Sequence, residues 1–117
     1  MKKDPLIFIE HILENIKDIE QFSRGLSKNS LEKNKLKQKA IIRSVEVIGE
    51  AVKNLPNSLK NKYSAVSWKQ IVGTRDRIIH QYFGVDLAII WDIVKKGLPE
   101  LKKEILKIKE DLEKEKK

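Results

Sequence analysis

The chain has 117 residues, a formal net charge of +8 at neutral pH, 40% hydrophobic residues and 36% charged residues. A chain of this size buries about two-thirds of its unfolded surface in one core and leaves too few residues for a second. No apolar run approaches the roughly 20 residues of a membrane-spanning helix, and the N-terminus lacks a secretory pattern. We therefore expect one domain over residues 1–117, located in the cytoplasm and without membrane contact.

The absence of cysteine excludes disulfides, thiolate nucleophiles and cysteine-based zinc sites. Only His11 and His80 supply imidazoles, and they lie far apart in the sequence. We therefore expect no structural metal and no other cofactor.

Hydrophobic spacing predicts an all-α protein, an up-and-down bundle of four to five helices. The first helix is predicted over residues 5–25, with Asp4 as its N-cap. Asn29 and Glu32 are typical of a capping box, which predicts one long second helix over residues 30–54.

The second half of the chain is predicted to hold a short helical segment over residues 59–63 and a third helix that begins at Trp68, capped by Ser67. A last helix follows Asp86, with apolar residues at alternating steps of four and three that favour packing against a partner helix. Pro99 predicts a kink or short break in it, because proline cannot donate to the carbonyl four residues earlier. Its charged last residues are expected to fray.

One side of the predicted second helix is polar and carries Arg43, Glu46 and Glu50, opposite an apolar stripe. Such a side is either solvated surface or one wall of a functional cleft, and the spacing leaves both open.

Basic residues outnumber acidic ones around the start of the same helix, where Glu32 is the single acid between positions 28 and 43. A basic surface attracts polyanions, so its lysines are candidates for RNA binding. A solvated lysine-rich helix face is the alternative. The candidates are Lys33, Lys35, Lys37 and Lys39.

Arg75 falls in the middle of the apolar face of the third helix, between Val72 and Ile78. A guanidinium in an apolar stripe costs several kcal/mol unless it is paired or binds an anion. A structural salt bridge with Glu46 or Glu50 and a functional role therefore both stay open.

His80 lies five residues after Arg75 and has the one side chain type that titrates near neutral pH, which suits proton transfer. A planar guanidinium suits charge stabilisation on a phosphate, so the two residues would form a minimal phosphodiester-cleaving pair. On a continuous helix, however, positions 75 and 80 point about 140° apart. Either the helix loosens near His80 or two subunits pool their residues across a two-fold axis, and we favour pooling.

The segment Arg75-(four residues)-His80-Gln81-Tyr82 resembles the motif of the HepT toxins, which are ribonucleases of the HEPN superfamily. In that motif an arginine is followed, after four to six residues, by a histidine, and the motif ends in a tyrosine. The resemblance covers nearly the whole chain, in the same order and at similar spacing. It includes residues 42–51, 55–56, 68–75, 82–86, 90–92 and 98–101.

The resemblance implies a homodimeric toxin of a toxin–antitoxin pair that cleaves RNA without a metal, with Arg75 and His80 as catalytic residues. It also implies an MntA-like nucleotidyltransferase antitoxin that neutralises the toxin by transferring AMP to Tyr82. Asp76 and Gln81 would support the motif. Asp76 departs from the asparagine common in the family, and an acid there would repel phosphate.

Two other functions compete with this one. The chain could be a non-catalytic HEPN adaptor that binds a nucleotidyltransferase or RNA through its basic helix. It could also be the nucleotide-handling member of such a pair, but it lacks a nucleotidyltransferase Gly-Ser signature, a paired-aspartate metal motif and a phosphate-binding glycine loop.

Overall fold

The computed structural model of the chain describes residues 4–80 and 87–116, apart from the side chains at positions 79 and 80. Within these ranges the regular structure is entirely helical, which confirms the predicted all-α bundle. The helices are α1 (Pro5–Ser23), α2 (Lys28–Glu32), α3 (Lys35–Lys53), α4 (Asn57–Lys62), α5 (Trp68–His80), α6 (Leu87–Asp92), a π-helical turn (Ile93–Gly97) and α7 (Leu98–Glu115).

Helix α1 begins where the sequence predicts. The Asp4 carboxylate accepts a hydrogen bond of 3.0 Å from the Leu6 amide, and Pro5 occupies the first turn, where a missing N–H costs nothing. The chain leaves the helix through Gly25, whose φ of 73° favours glycine. The side chains of α1 that face the core are Ile9, Ile12, Leu13, Ile16 and Ile19.

The long second helix predicted over residues 30–54 is wrong, because the chain forms α2 and α3 instead. Ser27 and Ser30 form the capping box that the sequence assigned to Asn29 and Glu32, with the Ser30 amide donating to Ser27 Oγ at 3.1 Å. The Asn34 side chain then caps α3 by accepting from the Lys37 amide at 3.0 Å. Two competing caps within eight residues stop the helix and restart it.

Helix α5 begins at Trp68 as predicted, and Trp68 also holds the short helix α4 in place. Its buried indole N–H donates to the carbonyls of Lys60 at 3.1 Å and Tyr63 at 3.0 Å, which lie at the end of α4. Helix α4 covers residues 57–62 rather than the predicted 59–63, a difference within the usual uncertainty of helix ends.

The break predicted near Pro99 is a π-helical turn between α6 and α7. The Leu98 amide donates to the carbonyl of Ile93, five residues earlier, which makes this turn wider than an α-helical turn. The wider turn accommodates Pro99, which has no N–H to donate, and the helix continues beyond it. Asp86, the predicted cap of this helix, lies outside the described residues.

The core lies between α1 and its two neighbours, α3 and α7, while α5 packs against α3. Helix α1 is therefore a packing partner of α7, as the apolar spacing of α7 predicts. Lys102 on α7 also forms an ion pair of 3.0 Å with Glu20 on α1. None of the helices in residues 4–80 and 87–116 is long and apolar enough to cross a membrane.

The end of α7 is tied to the α4 region by Tyr63, whose hydroxyl donates to Asp111 at 2.8 Å. Burial, together with this hydrogen bond, raises the pKa of Tyr63 to about 12 from 10.0. Because the folded state favours the neutral phenol, its stabilisation is present below pH 10 and is lost as the pH rises towards 12.

We expect Tyr63→Phe to lower the free energy of unfolding by about 1 kcal/mol at pH 8, the usual value of one hydrogen bond. The difference between variant and wild type should shrink between pH 10 and 12. Urea unfolding at several pH values measures both effects, and a difference that does not change with pH would contradict the assignment.

Candidate active site

Arg75 lies where α5 crosses α3, and a glycine makes the crossing possible. A Cβ on Gly49 would lie 2.4 Å from Cβ and 2.6 Å from Cγ of Arg75, far inside contact distance. The stem of Arg75 therefore passes directly over the backbone of α3, and only 21% of the side chain is exposed. The apolar face that surrounds Arg75 in the sequence is packed as predicted, with Trp68 and Ile78 buried.

The guanidinium of Arg75 is paired with two carboxylates. Its Nη2 lies 2.9 Å from Glu50 Oε2 on α3, and its Nη1 lies 3.0 Å from Asp76 Oδ1 on α5. Of the two pairings left open by the sequence, the Glu50 salt bridge is the one that forms. Both carboxylates are about half exposed, at 53% and 45%, so these two ion pairs lie at the surface of the protein.

Arg75 Nε is buried and has no hydrogen-bond partner among the described residues. A buried donor without an acceptor costs roughly 1–3 kcal/mol, and native proteins keep such groups mainly at functional sites. The pairing seen here therefore leaves part of the hydrogen-bonding capacity of the guanidinium unused.

A polar groove of about 390 Å³ opens beside Arg75, between α1 and α3. The polar stripe of α3, with Arg43, Glu46 and Glu50, forms one wall of this groove. The residues that line it are Phe8, His11, Arg43, Glu46, Val47, Glu50, Ala51, Asn54 and Arg75.

His80 is the last residue of α5, and the backbone is helical as far as His80. Loosening of the helix before that residue, one of the two ways of bringing the motif together, is therefore not observed. The side chain of His80, and Gln81 and Tyr82 entirely, lie outside the described residues.

The candidate RNA-binding lysines lie on α3 and on the turn before it, at the end away from Arg75. Lys33, Lys35 and Lys39 are exposed, whereas the ammonium of Lys37 lies 5.8 Å from the centre of the Phe22 ring. Three of the four are therefore free to contact a polyanion. No group of three or more His, Asp or Glu side chains in residues 4–80 and 87–116 is arranged to hold a metal ion.

Sequence reasoning did not assign any residue of α1 to the site, so it missed Phe8 and His11 in the groove. Both lie on α1, more than 60 positions before Arg75, and helical spacing within α1 does not indicate which neighbour that face meets. The available signal in the sequence was a histidine on the polar face of an amphipathic helix.

Comparison with known proteins identifies relatives along nearly the whole chain. Residues 12–108 match the family model described as "Ribonuclease HepT-like". A provisionally named RNase of Methanocaldococcus jannaschii is 51% identical over 112 residues, which cover 96% of this chain and 93% of that protein. A protein of Thermococcus cleftensis named "Probable ribonuclease HepT" is 38% identical over 109 residues, which cover 93% of this chain and 99% of that protein.

One relative is much longer than this chain. A Methanocaldococcus jannaschii protein, named a gamma-glutamylcyclotransferase and provisionally also an RNase, is 47% identical over 116 residues. The match covers 99% of this chain but 52% of that protein, so the chain spans about half of its length. No solved structure matches the chain at a significant level.

Proposed function

The chain belongs to the HepT-like ribonuclease family, and from this premise we propose that it is a metal-independent endoribonuclease toxin of a toxin–antitoxin pair. The observation that supports the proposal best is the placement of Arg75. A mostly buried arginine, seated over a glycine and held at the edge of a polar groove, is positioned in advance to meet a phosphate.

The proposed reaction is attack of the ribose 2′-hydroxyl on the adjacent phosphate, which releases the 5′-oxygen of the next nucleotide. Arg75 stabilises the negative charge that develops on the phosphate, after its oxygens displace Asp76 or Glu50 from the guanidinium. His80 transfers protons to and from the ribose oxygens. None of these steps requires a metal ion.

We propose that the active form is a homodimer with two copies of the motif facing each other. Positions 75 and 80 are about 140° apart around a continuous helix, so one chain does not easily present both to one phosphate. A two-fold axis would let Arg75 of one subunit act with His80 of the other. Sedimentation as a monomer at micromolar concentration would contradict this arrangement.

The proposed activity is tested by incubating the purified chain with RNA in the presence of excess EDTA. Cleavage by the wild type and its loss in His80→Ala, with unchanged helical circular dichroism, would support the proposal. Cleavage that persists in His80→Ala at the wild-type rate would refute the assigned mechanism.

The proposed partner is an MntA-like nucleotidyltransferase that transfers AMP to Tyr82. An AMP group would add bulk and negative charge two positions after His80 and would compete for Arg75. On incubation with the cognate nucleotidyltransferase and ATP, we expect the mass of an added AMP group on Tyr82 and a loss of cleavage. Tyr82→Phe should stay unmodified and active, and modification elsewhere would contradict the choice of residue.

One observation favours the alternative of a non-catalytic adaptor. Arg75 already has two carboxylate partners, as a purely structural arginine would. Under that alternative, no RNA cleavage appears at any protein concentration, and His80→Ala binds the nucleotidyltransferase as the wild type does.

A further inference from the structure

The groove beside Arg75 has an aromatic wall on α1. Phe8 and His11 are three residues apart and therefore neighbours on one face of the helix. Phe8 packs partly against the core and also lines the groove, while His11 is exposed. The His11 backbone carbonyl accepts from the side-chain Nδ2 of Asn15, but the His11 imidazole makes no hydrogen bond or ion pair within the described part of the chain. Both rings can therefore accept a flat ligand.

The opposite wall, on α3, carries charges that cancel. Arg43 Nη1 lies 3.4 Å from Glu46 Oε2, and the second arginine of the groove, Arg75, pairs with Glu50. With two guanidiniums and two carboxylates, the groove has no net positive charge to attract a chain of phosphates. The part of an RNA strand that suits it is an uncharged base.

Base chemistry matches both walls of the groove. Unpaired bases stack on aromatic and histidine rings, and carboxylates accept hydrogen bonds from exocyclic amino groups. The volume of about 390 Å³ lies within the roughly 300–1,000 Å³ of small-ligand sites. The hydrogen bond from Arg43 to Glu46 is long, at 3.4 Å, so the Glu46 carboxylate can also accept a hydrogen bond from a ligand.

We propose that this groove is a base-binding subsite for an unpaired nucleotide of the RNA substrate, in which His11 and Phe8 stack on the base and Glu46 accepts from its exocyclic amino group. The inference rests on the proposed ribonuclease function and adds a substrate preference to it. Adenine, cytosine and guanine carry such an amino group, and uracil does not. Cleavage is therefore directed to strands with an amino-bearing base next to the scissile phosphate.

The phosphates of the same strand have a separate route to the groove. Lys35 and Lys39 are exposed on α3, and Lys39 lies one helical turn before Arg43. A strand that follows these side chains reaches the groove from the basic end of α3, with its backbone on the lysines and one base inside.

The test is a binding titration of the full chain with 2′-O-methyl cytidine and uridine trinucleotides, which cannot be cleaved through a 2′-hydroxyl. The two probes differ in the exocyclic group at position 4, an amine in cytosine and a carbonyl in uracil. We expect the cytidine probe to bind roughly fivefold more tightly, as one hydrogen bond provides. The ring signal of His11, one of two histidines, should shift on binding in the NMR spectrum.

Two groove variants and one matched control complete the experiment. His11→Ala should weaken cytidine binding on the order of tenfold, as loss of a stacking platform does, and Phe8→Leu should act in the same direction. Glu46→Gln should remove the preference for cytidine over uridine. Glu10→Ala, an exposed position of α1 that does not line the groove, should bind as the wild type does.

Equal binding of both probes, or unchanged binding by His11→Ala, overturns the subsite. If RNA is cleaved in a His80-dependent way in that case, the proposed function stands and only the subsite fails. Selective cytidine binding that depends on His11, without cleavage of any RNA, supports the subsite and refutes the ribonuclease instead.

Discussion

Replacing Arg75 with alanine is expected to reduce RNA cleavage on the order of 100-fold or more, the loss typical when one group that stabilises transition-state charge is removed. The substitution also removes ion pairs to two half-exposed carboxylates and the packing of the stem on α3. We expect this structural part to cost about 1 kcal/mol, so the variant should stay folded. Initial cleavage rates and urea unfolding, measured on the same preparation, separate the two effects.

Arg77→Ala is the matched control, because Arg77 lies two residues further on α5 and is exposed. It removes the same formal charge without touching Arg75, and we expect cleavage within about threefold of the wild type. Equal loss in both variants would show that net charge, rather than the placed guanidinium, accounts for the effect.

Asp76→Asn tests the same guanidinium by a change that is expected to raise activity rather than lower it. It removes the negative charge 3.0 Å from Arg75 Nη1, which a phosphate has to displace, while keeping the size of the side chain. Cleavage by this variant should therefore rise rather than fall. A large loss of activity would instead assign Asp76 to the positioning of Arg75.

Gly49→Ala is expected to destabilise the fold by about 2 kcal/mol and to abolish most cleavage. Alanine normally stabilises a helix interior by about 1 kcal/mol over glycine, whereas overpacking a contact costs roughly 1–3 kcal/mol. Here the clash is with Cβ of Arg75, which no side-chain rotation can move, so α3 and α5 have to separate. Separation also moves the guanidinium away from Glu50. Urea unfolding and the cleavage assay measure the two losses.

Two further variants test the cause of that effect. A Cβ at Gly73 on α5 meets nothing within 4 Å, so Gly73→Ala should be neutral or stabilising. In an Arg75→Gly background, which has no Cβ to clash with, Gly49→Ala should also be neutral or stabilising. Destabilisation that persists in this background would locate the constraint elsewhere than at the α3–α5 crossing.

The sequence by itself determined the class of fold and several of its details. Apolar residues at helical spacing and the pair Asp4–Pro5 were enough to predict α1, because caps and periodicity are local properties. Arg75 was conspicuous for a similar reason, as a charge in an apolar stripe needs a partner wherever it lies. The roles of His80 and Tyr82 came mainly from the family motif, although the side-chain chemistry of His80 already suited proton transfer.

Only the tertiary structure decided which surfaces meet. A helical wheel gives the direction of a side chain around its own axis and no information about the neighbouring helix. For that reason the contact of Gly49 with Arg75, the choice of Glu50 as its partner and the presence of His11 in the groove could not be predicted. The division between α2 and α3 was missed for a different reason: Ser27, Asn29 and Asn34 are all residue types that cap helices, and the local sequence does not decide which of them does so.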